Sequence, residues 1–172
     1  SKSELLLVVI LLPAFIYALF MLIPLIDPKK KINLMGAKYE SFKNILIGFM
    51  SFLLILILYS AKNESFSNPN WIFIAIGILF IVLGNFFKTI RPNYFMGIKT
   101  PWTLENETVW KDTHVLGGKI WFIGGIVITL ASMVLNSKVN VIVFLIITGI
   151  LILVPVIFSY LRFQEIDKKG LS

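Results

Sequence analysis

Cysteine is absent from the 172 residues, and histidine occurs once, at His114. The first absence excludes disulfides, thiol nucleophiles and thiolate metal sites. The second excludes a multi-histidine metal site within one chain. Charge is also scarce: Asp, Glu, Lys and Arg make up 15% of the sequence, against about a quarter in soluble domains. The charges that exist are clustered, and long stretches between the clusters carry none. Low-complexity segments are missing, no separate soluble domain stands out, and no cofactor is expected.

What fills the uncharged stretches is apolar. Five runs are bounded by charges: Leu5 to Ile26, Asn44 to Ala61, Trp71 to Phe87, Ile120 to Ser137 and Val139 to Leu161. At 1.5 Å rise per residue, each is about long enough to cross the hydrocarbon core as a helix. The expected architecture is all-α: one polytopic membrane bundle over 1–172, with helices near 5–26, 43–61, 71–88, 117–136 and 139–162. Trp71 and Trp121 serve as interfacial anchors for the third and fourth runs, which are near the lower limit of length. Residues 1–26 are not a signal peptide, because the apolar run is too long and Asp27, Pro28 and three lysines follow in place of a small-residue cleavage site.

The net charge of +7 belongs to loops rather than to a nucleic-acid surface. Alternating the five runs across a bilayer puts thirteen of the sixteen lysines and arginines on one side, with only Lys2, Lys62 and Lys138 on the other. The positive-inside rule then places the N-terminus of the chain outside and the C-terminus in the cytoplasm. The basic loops lie against an anionic inner leaflet. The loop near 62–70 faces outward, and the turn at Asn136 to Asn140 makes its two flanking helices antiparallel neighbours.

Small residues suggest how the bundle packs. Gly77 and Gly84 lie seven apart in the third run, and the doublets Gly117-Gly118, Gly124-Gly125 and Ala131-Ser132 repeat at the same spacing in the fourth. Seven residues is nearly two turns, so each set forms a stripe. In lipid, close backbone approach is what holds apolar helices together. The expectation is that these helices touch along Gly77, Gly84, Gly117 and Gly124. Asn85 is expected to hydrogen-bond across helices.

The segment Lys88 to Lys119 is too long and too rich in aromatic residues, prolines and mixed charge to be a mere connection. Arg91-Pro92-Asn93 ends the third helix, and Gly97 permits a turn. Pro101-Trp102-Thr103 opens a new helix with Thr103 as N-cap, and Glu105 and Glu107 fall in its first turn. Trp110, His114 and Gly118 share a face. This amphipathic stretch is expected to lie along the interface and turn into the next membrane helix at Gly117-Gly118. Trp102 and Trp110 pack on the helix ends, and Lys99 or Arg91 pairs with Glu105, Glu107 or Asp112. His114 reads as a hydrogen-bonded structural residue, although Glu107 and His114 together have the chemistry of a proton relay.

The run Asn93-Tyr94-Phe95-Met96-Gly97-Ile98-Lys99-Thr100-Pro101-Trp102-Thr103-Leu104, followed by Glu107, Val109-Trp110 and Lys111, resembles the signature of the SdpI family. Gly84-Asn85, Thr113-His114, Gly117-Gly118 and Ile26-Asp27-Pro28 fit the same pattern. These are bacterial membrane proteins, and the resemblance implies a place in the cytoplasmic membrane and immunity to a secreted, hydrophobic toxic peptide rather than catalysis. It further implies a toxin met from outside and a repressor protein bound from the cytoplasm. Family members usually carry one more helix ahead of the position of Ser1, so six helices are expected in the full-length protein. The alternative reading is a small transporter or exporter of an amphipathic molecule. Ion coupling would need charges within the helices, and the five runs hold none. A membrane enzyme using Glu105, Glu107, Asp112 and His114 is the remote third reading.

Overall fold

The computed structural model describes residues 2–27, 30–62 and 69–170. It is all-α, with no strand among the described residues. Five of its helices are long and apolar enough to cross a membrane. The chain is thus a multi-pass membrane protein, and lipid is its solvent. Most of the outward connection read near 62–70 lies outside the described residues, as do Pro28 and Lys29.

Two compact units divide the chain, residues 1–69 and 70–172. In the first, α1 (Lys2–Ile26) and α2 (Ala37–Lys62) pack together. The tip between them is tied by Asp27, a buried carboxylate that accepts the Ile32 amide at 2.8 Å. The Tyr39 hydroxyl donates to the Phe20 carbonyl. α2 starts about a turn and a half before the expected boundary at residue 43. Lys43 is not its end, because the side chain is held inside the hairpin by Glu40 at 2.6 Å and by the face of Tyr17.

The second unit is built on α3 (Asn70–Phe87), α5 (Glu107–Val134) and α6 (Ser137–Lys168), with the short α4 (Pro101–Glu105) beside them. α5 is the middle member: it packs along both α3 and α6, which barely touch each other. That position explains the doublets. Successive residues on a helix point about 100° apart, so each doublet gives one glycine to each neighbour. Toward α3, a Cβ on Gly118 would meet the Gly84 carbonyl at 2.6 Å, and one on Gly125 would meet the Gly77 carbonyl at 2.6 Å. Toward the other side, a Cβ on Gly124 would meet Leu151 of α6, and one on Gly117 would meet Ile98 and Pro155. The expected pairing is therefore corrected: Gly77 and Gly84 touch Gly125 and Gly118, while Gly117 and Gly124 serve the opposite face.

At the far end from α4, a buried polar clasp closes the three helices. Asn70 donates to the carbonyls of Ser132 and Leu135 at 3.2 and 2.8 Å. Asn140 donates to Asn70 at 3.2 Å and accepts from Ser132 at 3.1 Å. The third small doublet, Ala131-Ser132, thus contributes a hydroxyl where the first two contribute clearance. Asn85 plays no such part. It is exposed, with no hydrogen bond among the described residues, contrary to the expected bond across helices.

Candidate functional site: the segment between α3 and α5

α3 ends at Phe87, four residues before Arg91-Pro92. The Thr89 and Ile90 amides still bond back to Phe86 and Phe87, at 2.9 and 3.1 Å. Asn93, 3% exposed, then organises the turn. Its carboxamide oxygen accepts the amides of Phe95 and Met96, both at 2.8 Å, and its nitrogen donates to the Arg91 carbonyl at 2.7 Å. An Asn side chain that mimics a backbone turn in this way explains that residue type here.

Gly97 follows at φ +105°, a region L side chains rarely enter. A Cβ there would also collide with His114 Nε2. The turn thus needs glycine for two independent reasons. It delivers the Ile98 amide onto His114 Nε2 at 2.9 Å. Because Nε2 accepts, the ring proton sits on Nδ1, which donates to the Trp110 carbonyl at 2.7 Å. Both ring nitrogens are used, and His114 acts as a bracket between loop and helix. Its ring stacks on Trp110, with centroids 4.1 Å apart, and meets the edge of Phe87. Trp110 is 1% exposed and donates through Nε1 to the Ile90 carbonyl at 2.9 Å.

The next stretch fastens to α6. Thr100, not Thr103, is the N-cap of α4. Its hydroxyl accepts the Thr103 amide at 3.2 Å, and Thr103 Oγ1 accepts the Thr100 amide at 2.9 Å. This reciprocal box, with Pro101 at the first helical position, satisfies the orphan amides of a very short helix. The Thr100 hydroxyl shares a 3.0 Å hydrogen bond with the hydroxyl of Ser159 of α6, which also donates to the Val156 carbonyl at 2.7 Å. Trp102 packs on Tyr160 with centroids 4.9 Å apart. Leu104 stays exposed on the outer side.

Asn106 then caps α5, accepting the amides of Thr108 and Val109 at 2.9 and 3.1 Å, with Glu107 in the first turn. α5 continues without interruption past Gly117-Gly118. The expected turn from an interfacial helix into a membrane helix is thus absent: residues 107–116 are the first turns of the same continuous helix. The glycines there give clearance to neighbours instead of bending the backbone.

The expected ion pairs are also redistributed. Lys99 donates to the Tyr94 and Phe95 carbonyls at 3.2 and 3.3 Å. Asp112 is taken by Arg162 of α6 at 2.8 Å, and Arg162 also meets Glu165 at 2.7 Å. Sequence reasoning missed Ser159 and Arg162 as members of this site. One looked like an ordinary polar residue in an apolar run, the other like a flanking charge. The geometry joins Asn93, Gly97, Thr100, Thr103, Trp110 and His114 into one buried network. Tyr94, Lys99 and Leu104 remain on its exposed side. Beside the network opens a cleft of about 410 Å³, whose lining includes Lys88, Arg91, Lys111 and Glu107 over the rings of Trp110 and His114.

What fold and site define is a multi-pass membrane protein with an ordered, basic segment fastened across the ends of its helices. Residues 89–159 match the SdpI/YfhL protein family, which shows the SdpI resemblance read from the signature run. The matched region begins just after α3 and ends at Ser159, the hydroxyl partner of Thr100. The immunity protein SdpI of Bacillus subtilis (strain 168) is 24% identical over 94 residues, covering 55% of this chain and 45% of that protein. No solved structure matches the chain.

Proposed function

We propose that the chain is an SdpI-like immunity protein of the bacterial cytoplasmic membrane, protecting the cell against a secreted hydrophobic toxic peptide by binding rather than by catalysis. The observation that carries this reading is the signature segment itself. It is the region matched to the family, and its signature residues are used to hold one loop conformation against α5 and α6. A rigid loop with a basic exposed rim suits recognition of a partner, since little ordering cost remains to be met on binding. An apolar peptide partitions into the bilayer and meets the lipid-facing helices. The loop, at the cytoplasmic ends of those helices, is placed to respond and to engage a repressor protein.

The test measures survival and abundance together. Toxin-sensitive bacteria producing the full-length protein are expected to survive, and Lys99→Ala or Trp102→Ala is expected to abolish protection while the protein still accumulates in the membrane. Full protection by a variant lacking Lys99, Trp102 and Trp110 at normal abundance removes the role from the loop. As a transporter instead, the protein would keep exporting an amphipathic substrate in those variants.

The orientation is testable separately, because the chain has no cysteine of its own. Lys138 and Lys169 are exposed and lie near opposite ends of α6. An impermeant maleimide is expected to label Lys138→Cys in intact cells, and Lys169→Cys only after permeabilisation. Labelling of Lys169→Cys in intact cells reverses the topology.

A further inference from the structure

Beside the Gly84–Gly118 contact, a groove of about 400 Å³ opens between α3 and α5. Its lining is strongly divided in character. The two glycines pack backbone on backbone and leave the notch. Val115, Phe122 and Ile123 line it with apolar surface, and all three are exposed on a helix that crosses lipid. Asn85, Lys88 and Lys119 bring an amide and two ammonium groups to the same groove. All three side chains are exposed, and among the described residues neither lysine has an ion pair and Asn85 has no hydrogen bond.

Uncompensated cations and an amide next to hydrocarbon are costly unless something anionic meets them. α3 and α5 run antiparallel, with Gly77 against Gly125 and Gly84 against Gly118. Lys88 therefore lies toward the loop end of the groove, and Phe122 and Ile123 lie toward the middle of the membrane. A phospholipid has the same order, phosphate at the headgroup level and chains below. Basic pockets between membrane helices select anionic headgroups.

We infer that this groove is a binding site for one anionic phospholipid, its phosphate held by Lys88, Lys119 and Asn85 beside Val115 and an acyl chain lying against Phe122 and Ile123. This goes beyond the immunity reading and stands independently of it. It assigns Asn85, which makes no hydrogen bond among the described residues, a donor role toward lipid. It also sets the bound lipid beside the basic cleft, since Lys88 lines both.

The experiment titrates the purified full-length protein in a neutral detergent with short-chain phosphatidylglycerol. Phosphatidylcholine of the same chains and inorganic phosphate run in parallel, and the readout is the unfolding temperature. Phosphatidylglycerol alone is expected to raise it. In Lys88→Gln/Lys119→Gln its apparent affinity is expected to fall about 30-fold, the loss of two lysines near the headgroup plane. Asn85→Leu, a change at an exposed position, weakens it less and serves if the double variant does not fold. Lys38→Gln/Lys168→Gln removes the same charge elsewhere and is expected to leave the affinity unchanged. Equal stabilisation by phosphatidylcholine, the same rise with inorganic phosphate, or an equal loss in the control pair would each overturn the site.

Discussion

Gly84→Ala is expected to be among the most destabilising single changes in the membrane bundle. The added methyl meets the Phe122 amide nitrogen and the Gly118 carbonyl, both main-chain atoms of α5. Backbone cannot rotate away as a side chain does, so the two helices must separate. Overpacking typically costs about 1–3 kcal/mol, occasionally more, and separation here also loosens the Gly77–Gly125 contact two turns away. Gly124→Ala is the matched control. Its methyl meets chiefly the end of the Leu151 side chain, which can shift rotamer, so its cost falls at the bottom of the same range. Unfolding of both variants in detergent, followed by helical signal against temperature or denaturant, is expected to separate them clearly. Equal midpoints would mean that α3 and α5 do not rely on this approach.

The contrast also marks what was legible in the sequence. Charge-bounded apolar runs located five membrane helices, because lipid penalises charge so heavily that little else competes as a signal. The seven-residue glycine spacing identified α3 and α5 as a close pair. It did not tell which glycine of each doublet faced which neighbour, since that depends on α6 lying on the other side of α5. Helix ends were misjudged for a related reason. Lys43, Lys119 and Arg162 bound the apolar runs, whereas the helices run on through charged residues whose helix propensity is good. In the signature segment the residues that matter were visible by type: Asn93, Gly97, Thr100, Trp110 and His114. Their pairings were not. Thr100 reaches Ser159 and Asp112 reaches Arg162, contacts separated by 59 and 50 residues in sequence, and no local spacing encodes them. The expectation that Lys99 seeks a carboxylate overlooked the carbonyls of the turn, nearer by construction of the loop.

Gly97→Ala is the change expected to hit the segment hardest, and a double-mutant cycle divides its cost into two parts. The first part is conformational. At φ +105° an alanine pays for its Cβ whatever surrounds it, on the order of 1–3 kcal/mol for a residue held in a sparsely populated region. The second part is steric, because the new methyl points into His114 Nε2, with the Trp110 ring close behind. Relief by moving the imidazole would break the 2.9 Å bond from the Ile98 amide and leave that donor unsatisfied, about 1–3 kcal/mol by itself. His114→Ala removes the obstacle and the acceptor together. It is destabilising alone, through the lost bracket and the cavity left against Trp110 and Phe87. Introducing Gly97→Ala into the His114→Ala background then costs the conformational part and the milder contact with the Trp110 ring at 3.1 Å. The two changes are therefore expected to be less than additive, by roughly 0.5–3 kcal/mol, the range for residues in contact. Strict additivity in thermal or denaturant unfolding would place the loop away from His114. In cells the same pair carries a functional corollary: protection lost in Gly97→Ala is expected to stay lost in the double variant, because emptying the bracket restores room for the methyl but not the bond that orders Ile98 and Lys99.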